Sequence, residues 1–148
     1  MKILLVEDER MTRVALAGTL RKAGYDVTAC ADGHAGMAAL DGGDFDVVLT
    51  DLALPGPDGL ALLARARETA PRARVIIMTA YASTETAVAA LRHGAYDYLT
   101  KPFRPDEVLN RIGHVARLTS VEQENQALRR TIAGLEARAI VGASPVMQ

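Results

Sequence analysis

A single cysteine in 148 residues excludes a disulfide within the chain, and Cys30 is expected to sit as a small buried hydrophobe. No long apolar segment and no basic leader precede the first apolar run, so membrane insertion and export are not expected and the cytoplasm is the expected compartment. An excess of either charge is missing too. Seventeen basic side chains stand against eighteen acidic ones, a net charge of -1, which leaves no electrostatic footprint for nucleic acid. His34, His93 and His114 lack metal-ligand spacing and read as surface residues. No G-x-x-x-x-G-K-[ST] phosphate loop occurs. What is present is an ordinary globular composition, 49% hydrophobic and 24% charged, at a length suited to about one domain.

Along the chain, short apolar runs alternate with helical spacing. Ile3–Val6, Asp26–Ala29, Val47–Leu49, Val75–Met78 and Tyr96–Leu99 read as strands. Between them, Val14, Ala17, Leu20 and Ala23 mark one helix with Gly24 as its stop, and Gly36–Leu40 marks a weak one. Asp58 is placed to cap a helix that buries Leu60, Leu63 and Ala64 and closes before Pro71. Ser83–Leu91 is a further helix ending at Gly94, and Pro105, Asp106 and Glu107 open the last. Five strands alternating with five helices predict an α/β fold with a doubly wound parallel sheet.

Polar residues stand where four of the apolar runs end: Glu7 and Asp8, Asp51, Thr79, and Lys101. In a parallel sheet the carboxyl ends of the strands share one edge, where ligands bind. Three carboxylates, a hydroxyl and an ammonium would converge there, a set suited to one divalent cation and one phosphoryl group. Taken singly, Thr79 reads as a loop hydroxyl, Glu7 as a solvated acid, and Tyr96 and Tyr98 as alternating strand residues. The set is what carries meaning.

Leu4-Leu5-Val6-Glu7-Asp8, Leu49-Thr50-Asp51 followed by Leu54-Pro55-Gly56 and Asp58-Gly59, Ile77-Met78-Thr79-Ala80, and Gly94 through Phe103 together resemble the receiver domain of a two-component response regulator. The resemblance covers residues 2 to about 117 and implies a flavodoxin-like sheet of order 2-1-3-4-5. It also implies that Asp51 accepts a phosphoryl group from a sensor histidine kinase, in a reaction with no separate substrate. An ordinary carboxylate is ionised at neutral pH, so the obstacle is repulsion and not activation. Mg2+ or Mn2+ held by Asp8 and Asp51, by Glu7 through water and by the carbonyl of Ala53 is expected to remove it. Lys101, the Thr79 hydroxyl and the backbone amides of Ala53 and Ala80 are the expected phosphoryl contacts, and Tyr98 the switching aromatic. Glu7 in place of the commoner Asp, apolar Ala53 and bulky Tyr81 depart from the usual pattern. The last two hint at a long-lived phosphorylated state.

Two other readings are weaker. A haloacid-dehalogenase-like phosphotransferase needs its nucleophile after the first strand in D-x-D, whereas Asp51 follows the third and has Ala53 two residues on. A phosphorylation-independent interaction module would not require Asp8, Asp51 and Lys101 together.

The last thirty residues differ. Leu118, Val121, Asn125, Leu128, Ile132 and Leu135 recur at heptad spacing, predicting a linker helix over 118–138 that pairs two copies of the chain, with Asn125 fixing register. A helix folded back on its own domain is the alternative. Residues 139–148 resemble the opening of the AAA+ domain of NtrC-type, sigma-54-dependent activators.

Overall fold

The computed structural model describes residues 1–80 and 84–118, with the helical residues Leu128, Arg129, Thr131 and Ile132 beyond them. Tyr81, Val121, Asn125, Leu135 and the 139–148 segment lie outside the described residues. The sheet belongs to the first of two units, Met1–Ile112, the second being Gly113–Gln148.

Strands β1 (Lys2–Val6), β2 (Asp26–Cys30), β3 (Val47–Asp51), β4 (Arg74–Thr79) and β5 (Asp97–Thr100) form one sheet of order β2-β1-β3-β4-β5. All four pairings are parallel. Parallel neighbours need crossovers, and helices supply them: α1 (Arg10–Lys22), α2 (Gly33–Gly42), α3 (Gly59–Thr69) and α4 (Thr84–Arg92). A fifth helix, α5, occupies residues 105–118. Both the fold class and the strand order match the sequence expectation.

Successive side chains of a strand point to opposite faces, so a sheet covered on both sides needs unbroken apolar strands. Leu4, Val6, Val48, Val75 and Ile77 pack with Leu40 of α2, Leu62, Leu63 and Ala66 of α3 and Ala90 of α4. Ile3, Leu5, Leu49, Ile76 and Met78, the alternate positions, are equally inaccessible to solvent. Burying each such side chain contributes about 1.5–3 kcal/mol. Cutting Leu62 to alanine would cost roughly 2–5 kcal/mol.

Helix faces are where sequence and structure part. The buried residues of α1 are Leu16, Ala17 and Leu20, whereas Val14 is 61% exposed and Ala23 is exposed as well. Steps of 100° per residue set Leu16, Ala17 and Leu20 on one stripe, and Val14 falls to its side. In α3 the stripe is Leu62, Leu63 and Ala66; Leu60 is half-buried and Ala64 faces solvent. Helix α2 extends well past the expected core because Asp32 caps it, accepting from Ala35 N–H at 2.8 Å. Cys30 is half-buried, and burial pushes its thiol pKa up. The three histidines are exposed, as expected. Among the described residues no helix is long and apolar enough to cross a membrane.

Candidate functional site

The buried polar or charged residues of the described chain are Glu7, Thr50, Asp51 and Thr79. All four lie at the carboxyl edge of the sheet. Register explains the gathering: Val6 pairs with Thr50, which sets Glu7 beside Asp51, while Asp51 pairs with Met78 and Thr79 with Thr100. Three neighbouring strands therefore deliver an acid, an acid and a hydroxyl, and the residue after β5 is Lys101.

Lys101 joins them. Its Nζ donates to Glu7 Oε1 at 2.9 Å and Oε2 at 3.0 Å, and to Asp51 Oδ2 at 2.8 Å. Its backbone N–H donates to the Thr79 carbonyl at 2.8 Å. The Glu7 side chain is wholly inaccessible, and burial, with the neighbouring Asp51 carboxylate, pushes its pKa up to about 7 despite the opposing ammonium. Burial alone would lower Lys101, but hydrogen bonds to Asp51 and Glu7 outweigh it and hold the ammonium above its ordinary value.

Oxygens of Glu7, Asp8 and Asp51 lie within 4.8 Å of one another. Asp8 is exposed and gives the cluster an open side. Three hard oxygen donors this close repel one another unless a cation stands among them, and Lys101 already serves two of the three. The donor set fits Mg2+ or Mn2+ better than a softer metal, since no thiolate or imidazole belongs to it.

The loop after β3 is held tightly. Leu52 N–H donates to the Met78 carbonyl at 2.8 Å, and Gly59 N–H to the Leu52 carbonyl at 2.9 Å. Asp58 caps α3 by accepting from Ala61 N–H at 2.9 Å, as its position suggested. A Cβ on Gly59 would meet the Asp51 carbonyl oxygen at 2.5 Å, so only glycine lets α3 begin against the strand end that carries Asp51. Gly33 has the same constraint against the Pro57 carbonyl oxygen, and its N–H donates to the Pro55 carbonyl at 3.2 Å. Ala53 and Ala80 are exposed at this edge, in the turns that follow β3 and β4.

Tyr98 is half-buried on β5 and its hydroxyl lies 3.4 Å from Thr86 Oγ1 on α4. Of the linker positions, Leu118 is half-buried, while Leu128 and Ile132 are helical and 60% and 52% exposed.

Arg13 escaped the sequence reading. Its Nη1 donates to the Glu7 carbonyl at 2.9 Å and lies 3.4 Å from that of Asp8. A basic residue in the first turns of a helix, five residues after an acidic pair, was the available signal.

Comparison with known proteins agrees with this geometry. Residues 3–113 match the response regulator receiver domain family. The chain is 42% identical over 116 residues to the transcriptional regulatory protein TcrA of Mycobacterium tuberculosis, covering 78% of this chain and 46% of TcrA. It is 38% identical over 146 residues to the DNA-binding transcriptional regulator NtrC of Salmonella typhimurium, covering 99% of this chain and 30% of NtrC. The chain thus spans less than half the length of either relative. Among solved structures, a CheY-like receiver domain protein from Methanospirillum hungatei superposes with a TM-score of 0.76 at 32% identity, covering 83% of this chain and 97% of that one. A parallel sheet of order 2-1-3-4-5, an acid–lysine cluster at its carboxyl edge and a match over most of the chain lead to one conclusion: the protein belongs to the response regulator receiver domain family.

Proposed function

We propose that this chain is the phosphorylation-activated receiver of an NtrC-like, sigma-54-dependent transcription regulator in the cytoplasm, with Asp51 as its phosphoacceptor. The observation that carries the reading is the Lys101 ammonium bonded to both Glu7 and Asp51, with Asp8 completing the acidic cluster. An Asp51 oxygen attacks the phosphorus of a phosphohistidine on a sensor kinase. The P–N bond breaks, and its electron pair stays on the imidazole nitrogen, which then takes a proton. Asp8 and Asp51, Glu7 through water and the Ala53 carbonyl would hold the divalent cation. When bound, that cation supplies the charge that lets a phosphoryl dianion approach a carboxylate.

Lys101 offers a second positive point to the phosphoryl oxygens, and the Ala53 and Ala80 amides donate to them. Thr79 donates its hydroxyl once the group is attached. Its shift opens space for Tyr98, whose hydroxyl faces α4 through Thr86, and the α4–β5–α5 surface changes with it. The chain acts only on itself, catalysing its own phosphorylation and dephosphorylation. Apolar Ala53 and Tyr81 favour a slow return. Exposed Leu128 and Ile132, four residues apart in the chain, support pairing of two copies through the linker.

Acetyl phosphate with Mg2+ is expected to label the chain once, and neither Asp51→Asn nor chelator-treated protein should be labelled. Label retained on Asp51→Asn rejects the assignment. Sedimentation over a concentration series tests the linker: Leu128→Asp should give monomers that still take phosphate, and a wild-type chain monomeric throughout favours the folded-back helix.

A further inference from the structure

Arg13 is badly placed for the helix that carries it. Helix α1 begins at Arg10, has no acidic residue in its first turn and receives no side-chain cap from Glu9. Arg10 and Arg13 therefore put positive charge at the positive end of the helix dipole, where acids are favoured. A local rule broken in this way is often offset by a gain elsewhere.

Here the gain is at the acidic turn. The Arg13 guanidinium is half-buried, donates to the Glu7 carbonyl at 2.9 Å and lies 3.4 Å from the Asp8 carbonyl. From the other side, the Glu7 N–H donates to the Cys30 carbonyl at 3.0 Å. The backbone of Glu7 is thus held from β2 and from α1 together. A side chain has few rotamers once its backbone is fixed, so these bonds set where the Glu7 and Asp8 carboxylates point.

We propose that Arg13 is a positioning residue for the cation: by fixing the carbonyls of Glu7 and Asp8, it aims their carboxylates at one metal ion. The inference rests on the reading that the divalent ion binds at Glu7, Asp8 and Asp51. Charge and positioning make opposite predictions. As a cation beside a cation site, Arg13 weakens metal binding through space, so neutralising it would tighten binding. As a clamp, it strengthens binding, so removing it loosens the site.

The test uses the intact 148-residue chain and Mn2+ alone, with free Mn2+ counted by electron paramagnetic resonance. Arg13→Gln should bind Mn2+ about tenfold more weakly than wild type, in the range seen when outer-shell partners of metal ligands are lost. Arg13→Lys keeps the charge but not the planar fork, and should also bind more weakly, by a smaller factor. It carries the test if the glutamine variant fails to fold. With acetyl phosphate, Arg13→Gln should be slow at limiting Mn2+ and return to within about twofold of wild type at saturation, since only cation capture is impaired. Equal or tighter Mn2+ binding by the variants, with wild type binding one ion that Asp8→Asn weakens, overturns the role of Arg13 and leaves the metal site standing. Failure of wild type to bind such an ion overturns both.

Discussion

At the amino end of the sheet, Lys2, Asp46, Arg74 and Tyr96 take part in main-chain bonds, a main-chain to side-chain bond and a ring contact, and stay within reach of water. Lys2 N–H donates to Asp46 Oδ2 at 2.8 Å, Asp46 and Arg74 N–H groups donate to carbonyls at 2.9 Å, and the Arg74 guanidinium lies 5.4 Å from the centre of the Tyr96 ring. At the carboxyl end, Glu7, Asp51 and Lys101 bond side chain to side chain, and the two acids are buried. The first arrangement closes a sheet edge at little desolvation cost. The second takes charges out of water, which apolar packing of the same volume would match or exceed in stability. Such a cluster is weak as a device for stability and fits the proposed phosphoryl chemistry.

The contrast breaks most visibly at Lys101. In Lys101→Met the two acids lose their shared cation, and phosphorylation by acetyl phosphate should fall at least about 100-fold, as for loss of one preorganised donor. Metal-free stability should drop as well, and recover at acid pH as Glu7 takes up a proton. A variant labelled at the wild-type rate would mean that the ammonium is only structural.

Glu7 gives the carboxyl end a pH signature. Its carboxyl has an ordinary value of 4.5 and is raised to about 7 in the folded chain. Between those values the folded state binds more protons than the unfolded one. The contribution of Glu7 is therefore full below pH 4.5 and is lost as pH rises through about 7. Urea unfolding in chelator should show this decline, at most about 1.4 kcal/mol per pH unit for one proton. Glu7→Gln should remove it; an unchanged slope would assign the titration elsewhere.

Thr79→Ala sharpens the comparison within the site. It should still accept phosphate, since the hydroxyl is proposed to read the modified state and not to attack, yet amide shifts over residues 83–103 should respond more weakly than in wild type. A full response would remove Thr79 from the coupling. At the other edge, Asp46→Ala should lower stability by only about 1 kcal/mol and leave phosphorylation unchanged. Loss of labelling there would show that the two ends are not independent.

The strands and their endings were legible because a doubly covered strand is an uninterrupted apolar run that stops at a polar residue. Asp51, Thr79 and Lys101 could be placed at one edge from that pattern alone. Helix faces were harder. With apolar residues at 14, 16, 17 and 20, and again at 60, 62, 63, 64 and 66, more than one stripe satisfies the spacing, and the sheet decides which is covered. Helix α2 is rich in Gly and Ala, and its start was hidden until the Asp32 cap was visible. The burial of Glu7 and the hold of Arg13 on its carbonyl were beyond reach, because both depend on how elements pack and not on local pattern.

Glu7 and Lys101 lie 94 residues apart in the chain, yet their side chains bond directly. During synthesis from the amino end, β1 emerges early and waits while four more strands are made. Until β5 docks beside β4, the two acids have no lysine, and the site's geometry is incomplete. A chain stalled or truncated before residue 101 therefore lacks this ammonium altogether, however well its earlier strands pair. Lys101 is thus the last of the three bonded side chains to be made, and a chain that stops short of it holds Glu7 and Asp51 without their shared cation.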